Sequence, residues 1–198
     1  MILIIPICTT FQSEINASPI LVDTTFSVPA QIQAVSKGNI QHKFLYSDKL
    51  GQHILILSRL ETKIPIPSVD LRATLYVSGN NKWKQEWIIY DKQDCAELDL
   101  DADFNKPSTI ITDLDSNGIF ESTVVYQMAC SGGIDYKITK AILQEGKSKY
   151  AVRGDSYVNV GGMAPFGGNY IADKTLESKP GFKKHLIFLW KRAANVAN

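Results

Sequence analysis

Apolar residues along this chain recur mostly at period two, in short runs broken by Gly, Asn, Asp and Ser. That pattern predicts strands joined by tight turns. From Gly38 onward, residues 40–46 and 53–60 read as a first pair across Ser47-Asp48-Lys49-Leu50-Gly51. Residues 71–77 and 83–90 form a second pair across Ser78-Gly79-Asn80-Asn81. Residues 97–104 alternate Leu98, Leu100 and Ala102 with Asp99, Asp101 and Asp103, a strand with one wet, acidic face. Residues 109–112, 122–129, 138–143 and 150–153 continue the series, the last two across Glu145-Gly146-Lys147. Consecutive strands with short turns predict a mainly β fold, an antiparallel meander of one or more sheets.

The period changes only at the C-terminus. After Pro180-Gly181, Phe182, Leu186, Leu189 and Trp190 fall at helical spacing, with Lys183, Lys184, Lys191 and Arg192 between them. This predicts an amphipathic helix over residues 182–194, packed by its apolar stripe on the sheet, with docking on a membrane surface as the other reading. Before it, residues 159–170 carry Gly161-Gly162 and Gly167-Gly168 around Pro165-Phe166 and read as a surface loop. No Gly-Lys-Ser follows, so a phosphate-binding loop is not expected.

Composition narrows the classes. A formal charge of +1 with no long run of one sign argues against nucleic-acid binding through a basic surface. The apolar run over residues 2–11 is too short to span a membrane. It has the character of a secretory signal core, with Ile15-Asn16-Ala17 as the cleavage site before Ser18, although no positive charge precedes it. Residues 1–17 are thus expected as a signal segment and 18–198 as a single β-rich domain, exported to the periplasm or beyond. An ordinary first strand is the other reading. Loss of Cys8 with the signal leaves Cys95 and Cys130. An even count in an exported protein favours a disulfide over two separate buried thiols. No close Cys or His pairs supply a zinc site, and His42, His53 and His185 are scattered.

The densest chemistry is Asp113-Leu114-Asp115-Ser116-Asn117-Gly118-Ile119-Phe120-Glu121. Three carboxylates this close repel one another unless a cation sits among them. Calcium suits them, because it takes several hard oxygen ligands at once. Position twelve, where an EF-hand has its bidentate glutamate, is Val124, and a strand follows instead of a helix. The segment resembles the shorter strand–loop–strand calcium loop of integrin-type propeller repeats. That resemblance implies Asp113, Asp115, Asn117 and Glu121 as side-chain ligands, with the Ile119 carbonyl, and a structural role for the ion. The plainer alternative is a polar hairpin turn, since Asn-Gly alone is a strong turn signal.

A wider set of residues carries a second resemblance. It comprises Trp87, Asp91, Cys95, Thr112-Asp113-Leu114-Asp115, Gly118-Ile119, Glu121, Tyr126, Cys130, Lys140, Glu145-Gly146, Lys149-Tyr150 and Arg153-Gly154. Over about residues 47–154, and again at Trp190, the chain resembles a family of small exported bacterial proteins named for surface polysaccharide biosynthesis. The resemblance implies a cell-envelope role and brings no catalytic residues. Two functional classes follow. One is a non-catalytic, calcium-braced envelope protein that binds a glycan or a protein, with Trp83, Trp87 and Tyr90 as candidate contact surface, although core packing is the expectation for at least Trp87. The other is an enzyme acting on cell-surface glycans through two paired carboxylates.

Overall fold

A computed structural model describes residues 20–80 and 82–196 of the chain. The signal segment expected at residues 1–17, with Cys8, lies outside them. Strands β1 (Asn39–Asp48), β2 (Gly51–Thr62), β3 (Ser68–Gly79) and β4 (Lys82–Asp94) form a four-stranded antiparallel meander. The remaining strands are β5 (Asp99–Phe104), β6 (Ile110–Thr112), β7 (Glu121–Ser131), β8 (Ile138–Glu145), β9 (Ser148–Asp155) and β10 (Tyr170–Ala172). They make a second antiparallel sheet in the order β10-β9-β8-β7-β5. Strand β6 also pairs with β7, so β5 and β6 share one edge of it, interrupted by a short 3-10 turn at Lys106–Ser108. The mainly β fold expected from the periodicity is therefore present, as two sheets.

The alternation of side chains sorts the core into layers. Leu55, Leu57, Val69, Leu71, Ala73 and Leu75 of the first sheet meet Ala102, Phe104, Val124, Tyr126, Met128 and Ile142 of the second. The opposite face of the second sheet offers Val125, Ala141, Leu143 and Val152 to helix α2 (Pro180–Ala193). That helix returns Phe182, Leu186, Leu189 and Trp190, the stripe expected of it. On the outer face of the first sheet, Ile54, Ile56 and Tyr76 pack under helix α1 (Ala30–Val35), chiefly on Ile32. The run His53 to Ser58 is consequently buried at every position, because β2 is covered on both sides.

Two details depart from the expected pattern, whereas the expected disulfide is present. Helix α1 and strand β10 were not foreseen; the loop expected over residues 159–170 ends in β10 at Tyr170. The disulfide between Cys95 and Cys130 is formed, with the two Cα atoms 5.4 Å apart. Cys95 follows β4 and Cys130 lies in β7, so the bridge ties one sheet to the other across the sandwich.

Trp190 is fully buried, and its indole N–H donates to the Thr139 carbonyl at 2.9 Å. Trp190→Ala removes a large buried side chain together with that hydrogen bond, so it should cost about 3–5 kcal/mol in urea unfolding. The disulfide spans 35 residues. Reducing it should cost about 3–4 kcal/mol by the loop-entropy relation, read as a lower urea midpoint with reductant than without.

Candidate metal centre

The acidic segment connects β6 to β7, and its bend is built from backbone that favours glycine. Gly118 has φ +78°, and a Cβ there would lie 2.5 Å from Lys49 Cε. Ser116 also adopts a left-handed conformation, φ 56°. The resulting turn brings one carboxylate oxygen each from Asp113, Asp115 and Glu121 to within 4.8 Å of one another. These three could hold a metal ion.

Glu121 decides the character of the site. As the first residue of β7 it has no exposed surface at all. Its Oε2 accepts from the Thr112 hydroxyl at 2.8 Å and the Leu114 N–H at 2.9 Å. Its Oε1 is buried with no hydrogen-bond partner. An orphaned carboxylate oxygen in the interior is costly unless a cation or proton meets it. Burial, chiefly, pushes the Glu121 carboxyl up to about 7. Its two hydrogen bonds oppose that shift, and the Asp115 charge adds to it.

Asn117 and Ile119, the other residues the resemblance names, lie in the same turn. The Asn117 side-chain oxygen accepts the Ile119 N–H at 2.6 Å, and its amide donates to Glu145 Oε1 at 2.7 Å. Gly118 N–H points to Asp113 Oδ1 at 3.3 Å, and Asn117 N–H to Asp115 Oδ1 at the same distance. The loop thus already turns its carboxylates inward through its own backbone donors.

Residues far away in sequence hold the loop in place. Asp48, the last residue of β1 in the other sheet, accepts the Phe120 N–H at 3.0 Å and a hydrogen bond from the His53 imidazole at 2.8 Å. Next to it, Lys49 N–H donates to the Gly118 carbonyl at 2.9 Å, and its ammonium reaches the Asn117 carbonyl. Lys179, immediately before α2, lies 3.1 Å from Asp115 and 3.7 Å from Glu145. None of Asp48, Lys49, Glu145 and Lys179 was foreseen as part of this site. Only Glu145 had any signal, as a member of the wider resemblance.

Other candidate residues fall elsewhere. Asp99, Asp101 and Asp103 stand on an exposed strand face, as their alternation implies, and Lys137 pairs with Asp101. Trp87 packs on the inter-sheet core and Trp83 against the α1 cluster. Tyr90 is about half exposed, with the Arg72 guanidinium 4.2 Å from its ring centre. Asp91 accepts from the Tyr126 hydroxyl at 3.0 Å and pairs with Lys140. Burial, with the Asp91 charge beside it, pushes the Tyr126 hydroxyl above its ordinary range, so it stays protonated and donates. No protein-family model, no curated protein and no solved structure matches the chain.

The Glu121 shift has a direct consequence for metal-free protein. The unfolded chain loses this proton near the ordinary value of 4.5, the folded protein near 7. The folded state is therefore favoured fully below the lower value and loses that advantage as pH rises through the upper one. With chelator present, stability should fall by about 2–3 kcal/mol between pH 5 and pH 8 from this group. Urea titrations at both pH values check it, and Glu121→Gln should flatten the difference.

Proposed function

We propose that this chain is a non-catalytic protein of the bacterial cell envelope, in which calcium braces the loop between β6 and β7. The observation that carries the reading is Glu121: a fully buried carboxylate with one unpartnered oxygen, converging with Asp113 and Asp115. A divalent ion among these carboxylates gives the buried Glu121 group a counter-charge and cancels the repulsion in one step. An all-oxygen donor set on an irregular loop suits calcium, which accepts six to eight ligands in flexible geometry. Magnesium demands a tighter octahedron and keeps its water, so it fits less well. Asn117 and the Ile119 carbonyl complete the set that the propeller-type loop implies.

Export is supported by the Cys95–Cys130 disulfide, which persists in oxidising compartments. Among the described residues, no helix is long and apolar enough to cross a membrane. A link to surface polysaccharide biosynthesis rests on the sequence resemblance, and a glycan or an envelope protein is the partner it implies. An open groove of about 410 Å³ offers such a surface, lined by Tyr90 with Asp70, Lys92 and Asp94. A glycan-processing enzyme would use two carboxylates in such a place. Here Asp70 is paired with Arg72 and Asp94 with Lys92, an arrangement that supports contact with a ligand better than proton transfer.

Calcium that binds only the folded state raises the melting temperature with the logarithm of its free concentration. With a dissociation constant of roughly 10⁻⁵ to 10⁻³ M, saturation at a hundredfold excess should add about 2.7 kcal/mol. Magnesium should add less, and Asp115→Ala should abolish the response. Identical melting of wild type and Asp115→Ala across a calcium titration would reduce the loop to a polar turn.

A further inference from the structure

Lys179 is the cation that the acidic loop already has. Its ammonium lies 3.1 Å from Asp115 Oδ2 and 3.7 Å from Glu145 Oε2, and 4.6 Å from the centre of the Phe182 ring. Phe182 is fully buried in the layer beneath α2, and Lys179 is the residue that precedes that helix. Asp115 therefore faces two cation positions. One lies among the oxygens of Asp113, Asp115 and Glu121, the other at the Lys179 ammonium. Lys49, the other lysine on the loop, bonds a backbone carbonyl of Asn117 and competes for no carboxylate.

We propose that Lys179 and the bound metal exchange at Asp115, so that metal binding is coupled to the first turn of α2. This rests on the metal reading above, whose independent support is the buried, unpartnered oxygen of Glu121. A divalent ion drawing on the Asp115 carboxylate repels an ammonium on that same group and weakens its hold. Glu145 and the Phe182 ring remain as a resting place for the released side chain. Without metal, Lys179 offsets part of the carboxylate repulsion, which lets the loop keep its shape. With metal, it is a competitor that lowers affinity. The exchange gives the loop a built-in set point: affinity is held below what the carboxylates alone would give.

Calorimetric titration with calcium chloride on the full chain tests this, comparing wild type, Lys179→Met and Lys183→Met. Lys183 pairs with Glu177, away from the loop carboxylates, and controls for a general loss of positive charge. Lys179 is partly exposed, so the expected gain is modest: Lys179→Met should bind calcium about three- to fivefold tighter, with Lys183→Met unchanged. A second measurement needs no variant. Acetylation of wild-type protein, followed by peptide mass spectrometry, should modify Lys179 faster in calcium than in chelator, while Lys183 keeps its rate. Equal calcium affinity in wild type and Lys179→Met, or an acetylation rate at Lys179 indifferent to calcium, overturns the exchange and leaves the metal site standing. Absence in wild type of both binding heat and a calcium-dependent rise in melting temperature overturns the metal reading, and the exchange with it.

Discussion

Strand β7 turns Val124, Tyr126 and Met128 toward the opposing sheet and Val125 toward α2, so from Glu121 to Tyr126 neither of its faces meets water. Most of the structure is arranged around that constraint. A strand covered on both sides can have no polar side chain in its middle without a partner. Tyr126 meets the condition by donating to Asp91 across the sandwich, and Thr123 by meeting His185 of α2 at 3.2 Å. At the N-terminal end of the strand the same burial reaches Glu121. A carboxylate there is tolerable only as an acid or as a ligand. The acidic loop is the consequence of continuing a doubly covered strand to its end with a glutamate.

The two ends of β7 are fastened to the first sheet by different means. Near the C-terminal end, Cys130 is covalently joined to Cys95, just past β4. At the N-terminal end, the β1–β2 turn grips the loop through Asp48 and Lys49. Ser122, one residue into the strand, adds a hydrogen bond to the Tyr46 hydroxyl at 2.9 Å. The eleven residues of the strand span about 35 Å at the usual strand rise. Apolar packing holds the middle, but it is weakest at the rims, where water competes for every contact. Each rim therefore carries a link that does not depend on hydrophobic area.

What could be read from the sequence follows from the range of the interactions. Strand alternation, the turn at Asn117-Gly118 and the stripe from Phe182 to Trp190 are local patterns, and each reappears at its expected place. The carboxylates were legible because three of them lie within nine residues. Helix α1 was not legible: six residues with one buried side chain, Ile32, present no stripe. Nor was β10, whose central Ile171 is largely exposed. The grip of Asp48 on Phe120 joins positions 72 residues apart, on different sheets. It depends on how the sheets stack, and no pattern within either segment records that. Lys179 is a similar case. Its place beside Asp115 is set by where α2 begins to pack on Val125 and Leu143, not by its own neighbours in the chain.

The same dependence explains why the loop is well formed before any ion is considered. Its inward turn is held by donors from its own backbone, by Lys49 from the first sheet and by Lys179 from the start of α2. A site assembled from three layers is pre-organised, so binding a cation there would carry little ordering cost. A cation held there would act on all three layers at once. It would relieve Glu121 in the second sheet, stiffen the segment that the first sheet grips, and draw on the carboxylate that Lys179 shares. A loop that merely reversed the chain would need none of these long-range contacts. Their convergence on nine residues is what distinguishes this turn from the other hairpins of the fold.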